Sequence, residues 1–133
     1  MNTTHRPLEV LVVDDDPFAQ DMVRESLGAW ESMTITCAED GVAALRLLRS
    51  AKVLPDALVC DIYMPNMDGL EFLEQLARMQ FKGAVIIVSG VNIDMLDMAR
   101  QIASTSGLEV TGAFVKPVAH VQWANALGLN PAS

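Results

Sequence analysis

The chain is 133 residues long, 51% hydrophobic and 20% charged, with a formal net charge of −8 from 9 Lys and Arg against 17 Asp and Glu. That much apolar content excludes a disordered chain and suffices for one core, so a single domain is expected. The acidic balance gives no electrostatic reason to bind nucleic acid directly, and no apolar run approaches the ~18 residues that would span a bilayer.

Five short apolar runs alternate with helical patterns. The first is Val10–Val13, followed by Asp14, Asp15 and Asp16. Asp16-Pro17 reads as a helix cap followed by proline at the first helical position. Phe18, Met22, Val23, Leu27 and Trp30 then form an apolar stripe. The second run, Met33–Cys37, alternates with Thr34 and Thr36, which suits an edge strand with one wetter face. Asp40-Gly41 opens the second helix, with Val42, Leu45 and Leu48 on one face. The third run, Ala57–Cys60, ends at Asp61. Gly69 begins a third helix carrying Leu70, Leu73 and Leu76, with Asp68 as its cap or loop organiser. The fourth run, Ala84–Val88, leads into Ser89 and Gly90. Asn92 is the expected cap of a helix carrying Met95, Ala99 and Ile102. The fifth run, Ala113–Val115, ends at Lys116-Pro117, and the last helix spans about 118 to 127.

This is β-α repeated five times, without linker or low-complexity sequence. Such alternation predicts a parallel sheet with right-handed crossovers and helices on both faces, a three-layer (βα)5 sandwich. Nearly continuous apolar runs fit strands covered on both sides. In such sheets the binding crevice lies beyond the carboxyl ends of the strands. There the sequence places Asp14, Asp15, Asp61, Ser89, Gly90 and Lys116.

Several carboxylates at one rim repel one another unless a cation offsets them. Lys116 supplies one positive charge, and a hard divalent ion such as Mg²⁺ would supply two more through oxygen ligands. That set suits phosphoryl transfer. Asp61 is the natural nucleophile, and Asp14 and Asp15 are the metal ligands. Lys116 would pair with the phosphate, and Ser89 would donate to a phosphoryl oxygen.

Cys37 and Cys60, lying in apolar runs without metal spacing, are expected to be buried thiols in a reducing cytoplasm. The polar start, residues 1–7, lacks an apolar signal core. Residues 7–128 are expected to form the ordered core between loose termini. Met22, Met33, Met79 and Met98 read as core filler. Trp123 could be packed or exposed. His5 and His120 have no partner that suggests catalysis.

The motifs Val12-Val13-Asp14-Asp15-Asp16, Asp61-Ile62-Tyr63-Met64-Pro65-Asn66-Met67-Asp68-Gly69, Ile87-Val88-Ser89-Gly90 and Phe114-Val115-Lys116-Pro117 resemble the receiver domain of bacterial two-component response regulators. The resemblance runs over nearly the whole chain. It implies a flavodoxin-like fold with strand order 2-1-3-4-5, and Asp61 as phosphoacceptor for a sensor histidine kinase or phosphotransfer protein. It also implies Mg²⁺ held by Asp14, Asp15, Asp61 and the Tyr63 backbone carbonyl, a switch set of Ser89, Gly90 and Lys116, and a cis Lys116–Pro117 bond. Such a domain catalyses only its own phosphorylation and dephosphorylation. Phosphorylation would switch the surface of the fourth helix, fifth strand and fifth helix to control an output domain, a partner or a homodimer.

Two features depart from the family pattern. The position three before the lysine, often aromatic, is Ala113, with Phe114 after it. The stretch from Ser89 to Lys116 is long, which predicts an extended fourth helix or a longer loop at Ser106-Gly107. This stretch is similar to that of receivers fused to cyclic-di-GMP phosphodiesterase domains. Ala113 also lends weight to an alternative, a pseudo-receiver that binds partners without phosphorylation. Tyr63 and Val91 are expected to flank the phosphoryl group and to position a hydrolytic water poorly.

Overall fold

In a computed structural model of the chain, the described residues are 8–64, 67–90 and 93–130. The expectations for His5, Pro65, Asn66, Val91, Asn92 and the two extreme termini lie outside them. The elements are β1 (Leu8–Val13), α1 (Pro17–Leu27), β2 (Met33–Ala38), α2 (Gly41–Ser50), β3 (Ala57–Asp61), α3 (Gly69–Arg78), β4 (Ala84–Ser89), α4 (Ile93–Thr105), β5 (Glu109–Val115) and α5 (His120–Leu127). All strand pairs are parallel, in the order β2-β1-β3-β4-β5.

Two apolar layers follow from the two-residue period of the strands. Leu11, Val13, Leu58, Cys60, Val85 and Ile87 pack with Leu45, Phe72, Leu73, Leu76 and Ala99 of α2, α3 and α4. Val10, Val12, Val59, Ile86 and Val88 pack with Leu27, Trp30, Trp123 and Ala124 on the α1–α5 side. Each large side chain so buried contributes about 1.5–3 kcal/mol. β2 is at an edge, as its threonines imply, with Thr34 and Thr36 exposed. Among the described residues no helix is long and apolar enough to cross a membrane.

Three helices start at aspartate caps. Asp16 accepts from the Phe18 N–H, Asp40 from Ala43 and Asp68 from Glu71. Such a cap stabilises a helix by about 1 kcal/mol. Gly69 has a different task. A Cβ there would lie 2.5 Å from the Ile62 Cα, so α3 can begin hard against the end of β3 only if this residue is glycine. The Gly69 N–H donates to the Ile62 carbonyl at 2.8 Å, which closes the loop after Asp61.

Several expectations need correction. β5 starts at Glu109, not Ala113, and an irregular step between Val110 and Gly112 interrupts its register with β4. Gly112, Glu109 and Thr111 break the apolar run that would have marked the strand. α5 begins at His120 rather than residue 118. α1 ends at Leu27, so Trp30 lies in the following turn, though it is buried. Phe18 is 71% exposed and leaves the apolar stripe. Met22 and Met98 are exposed rather than core filler, and Val42 is also exposed. Met98 lies on the α4 face opposite the buried Leu96, Ala99 and Ala103. Met33 and Met79 do pack against the core. Cys60 is buried and Cys37 half-buried, both as free thiols. The length between Ser89 and Lys116 goes into α4, of 13 residues, and β5, of 7.

Trp123 is 2% exposed and belongs to the core. The Trp30 ring stacks on His120, centroids 4.3 Å apart and planes 7° from parallel. Its indole N–H donates to the Asn130 carbonyl at 3.0 Å. The turn after α1 is thereby tied to the start of α5 and to the chain just beyond it.

Candidate phosphoacceptor and metal site

The carboxyl ends of β1, β3, β4 and β5 bring the polar residues to one rim. Asp14 is 2% exposed, Asp61 7% and Ser89 0%, while Asp15 is exposed. One carboxylate oxygen from each of Asp14, Asp15 and Asp61 can be chosen so that all three lie within 4.8 Å of one another. The Lys116 Nζ donates to Asp14 Oδ2 at 2.8 Å and to Asp61 Oδ2 at 3.3 Å. The Tyr63 N–H donates to Asp61 Oδ1 at 3.2 Å, and the Tyr63 side chain is exposed.

Three carboxylates against one ammonium leave the pocket with excess negative charge. Burial is the largest influence on Asp61 and pushes its carboxyl above the usual range. Lys116 pulls it down, Asp14 pushes it up again, and the Tyr63 N–H lowers it, with the net effect upward. Burial pulls the Lys116 ammonium down. The hydrogen bond to Asp14 and the charges of Asp61 and Asp14 outweigh it, so the net shift is upward. Cys60, next in sequence to Asp61, faces the core on the α2–α4 side. Burial first, then the charges of Asp61 and Asp14, push its thiol far up, so it is no competing nucleophile.

Ser89 ends β4, and its carbonyl accepts from the Lys116 N–H at 2.9 Å, so the two residues enter the rim together. Gly90 lies beside the stem of Lys116, where an added Cβ would be 3.9 Å from Cδ. The Lys116–Pro117 peptide is cis. Ala113 pairs with Ile87 on β4 and packs against the α2–α4 layer, whereas Phe114 packs on the α1–α5 side. The aromatic ring next to the Ala113 position therefore faces away from that layer.

Beside the rim, between α1 and the β5–α5 connection, is a cleft of about 390 Å³ lined by Phe18, Met22, Val88, Lys116, Pro117 and Trp123, among others. Two residues here escaped sequence reading. The exposure of Phe18 was hidden because its spacing matches a core stripe. Gln20 donates from Nε2 to the Asp14 carbonyl at 2.7 Å. No sequence signal marks that bond, since glutamine on a helix reads as solvated.

The fold and the rim together define a flavodoxin-like (βα)5 domain with an acid-and-lysine pocket at the carboxyl edge of its sheet. Residues 10–127 match the family model of the response regulator receiver domain, and the chain belongs to that family. It is 45% identical over 69 residues to the response regulator MprA of Mycobacterium ulcerans (strain Agy99), covering 52% of this chain and 28% of that protein. It is 39% identical over 88 residues to protein-glutamate methylesterase/protein-glutamine glutaminase 5 of Myxococcus xanthus (strain DK1622), covering 65% of this chain and 25% of that one. The matched stretch thus spans less than a third of either relative. In fold it is similar to the signal receiver domain of an HD domain-containing protein from Pseudomonas fluorescens Pf-5, with TM-score 0.76, 23% identity and 93% of each chain covered.

Proposed function

We propose that Asp61 accepts a phosphoryl group from a sensor histidine kinase or phosphotransfer protein, with Mg²⁺ held by Asp14, Asp15, Asp61 and the backbone carbonyl of Tyr63. The observation that carries this is the pairing of the Lys116 ammonium with both Asp14 and Asp61, beside the exposed Asp15. The donor set is all hard oxygen and carries excess negative charge, which fits a small divalent cation and disfavours soft metals.

An Asp61 carboxylate oxygen attacks phosphorus, and the donor's imidazole leaves. Lys116 neutralises the transferred phosphoryl group as a point charge. Ser89 donates to a phosphoryl oxygen and moves with Gly90 when the group arrives. When bound, Mg²⁺ would supply neutralisation of phosphoryl charge.

The new charge and its acceptors bias α4, β5 and α5 between two arrangements. That surface then controls an output domain, a partner or a homodimer. The resemblance to receivers joined to cyclic-di-GMP phosphodiesterase domains makes such a domain the output class to test first. The reaction takes place in the cytoplasm, and the chain turns over no separate substrate. Tyr63 is a poor positioner of a hydrolytic water, so the aspartyl phosphate is long-lived.

Incubation with a small acyl phosphate and Mg²⁺ tests the reading. Intact mass should rise by one phosphoryl group in the parent and not in Asp61→Asn. No adduct under any metal condition would leave a phosphorylation-independent binding module, the alternative to which Ala113 lends some weight and against which the intact Asp14, Asp15, Asp61, Ser89 and Lys116 argue.

A further inference from the structure

We infer that Gln20 is a positioning residue for the metal-binding acids: it fixes the peptide joining Asp14 to Asp15, and its amide thereby sets the affinity for the divalent cation. This rests on the Mg²⁺ site proposed above.

Asp14 is held at every polar group it has. Its N–H donates to the Ala38 carbonyl at 3.0 Å. Its carboxylate accepts from the Asp16 N–H through Oδ1 at 3.0 Å and from Lys116 through Oδ2 at 2.8 Å. Its carbonyl accepts from Gln20 Nε2 at 2.7 Å. Asp15 is different: it is exposed, and among the described residues no hydrogen bond or ion pair holds its carboxylate. Only the backbone on either side aims it. On its carboxyl side, the Asp16 N–H is tied to Asp14 Oδ1. On its amino side, the 14–15 peptide is tied through its carbonyl to Gln20. If the Gln20 bond is lost, that peptide can rotate, and Asp15 ceases to converge with Asp14 and Asp61.

Gln20 is well placed for this work. It lies one turn into α1, where its own N–H donates to the Asp16 carbonyl at 3.0 Å in the first helical bond. The amide is half-buried, and its donor faces the strand end rather than solvent. Groups that orient metal ligands without touching the metal commonly change metal affinity 10–100-fold when removed.

The test is the Mg²⁺ dependence of Asp61 phosphorylation by a small acyl phosphate, with direct calorimetric titration of Mg²⁺ alongside. Gln20→Met keeps the length and apolar stem of the side chain and removes the donor. It should raise the half-saturating Mg²⁺ concentration roughly 10–100-fold. The rate at saturating Mg²⁺ should stay within about twofold of the parent, because the reacting groups are intact. Gln20→Ala should give the same shift. Unchanged half-saturation in Gln20→Met would overturn the inference. So would a parallel loss of saturated rate and metal-free thermal stability, which marks a merely structural role. A parent chain that shows neither Mg²⁺ binding nor adduct would instead overturn the proposed function, and this inference with it.

Discussion

Strand β3 is bracketed by two aspartates with opposite fates. Asp56, just before it, is taken up by backbone. Its Oδ2 accepts from the Glu9 N–H at 2.8 Å, its N–H donates to the Glu9 carbonyl, and its carbonyl accepts from Ala84. It staples β1, β3 and β4 at their amino ends. Asp61, at the other end, is held by longer bonds to Tyr63 and Lys116, with Asp14 as a like-charged neighbour. The residue type is the same and the strand is the same. What separates a staple from a reactive group is the company each carboxylate keeps.

The comparison breaks most sharply on phosphorylation. Asp61→Asn should lose the adduct completely, while Asp56→Ala should form it at the parent rate, as read by intact mass. A parent-like adduct in Asp61→Asn would move the acceptor elsewhere.

Next in size are two effects on stability. Gly69→Ala must displace the backbone at Ile62 and should cost about 1–3 kcal/mol in chemical denaturation. Mg²⁺ at a hundred times its Kd should stabilise the parent by about 2.7 kcal/mol through mass action. That gain should shrink in Asp15→Asn, and an equal gain would remove Asp15 from the site.

A smaller effect sharpens the contrast by pH. Asp61 titrates above its unfolded value of 3.8. The native state therefore holds its proton more tightly, and stability is lost as pH rises from that value through the higher folded one. In metal-free buffer Asp61→Asn should remove this loss and melt above the parent at neutral pH. Lys116 also titrates above its unfolded value of 10.5, so its contribution persists at neutral pH and is lost only on the strongly alkaline side. Smallest is the staple itself: Asp56→Ala should cost about 1 kcal/mol at neutral pH. Any large change in its Mg²⁺ response would erase the distinction between the two ends.

The same contrast explains what could be read from sequence. β1, β3 and β4 are continuous apolar runs because both faces are covered, and the acids and lysine follow directly where the runs stop. The place of the pocket followed from those ends, whereas the order of the strands came from the resemblance to the receiver family, with only the edge position of β2 legible in its threonines. β5 was under-read because an edge strand tolerates Glu109, Thr111 and Gly112. Phe18 and Met22 were over-read, since helical spacing does not say which part of a stripe is covered, and both line the open cleft beside Lys116. Gln20 was invisible, because its role depends on a carbonyl six residues back and on the turn between them.

The two tryptophans of the chain report on α5 from different places. Trp123 borders the cleft beside Lys116 and Pro117, while Trp30 lies against the His120 imidazole and holds the Asn130 carbonyl. A shift of that helix should therefore register as two separate changes in intrinsic emission. Trp30→Phe leaves one indole beside the cleft and Trp123→Phe leaves the other between His120 and Asn130, giving a built-in optical ruler without an attached dye.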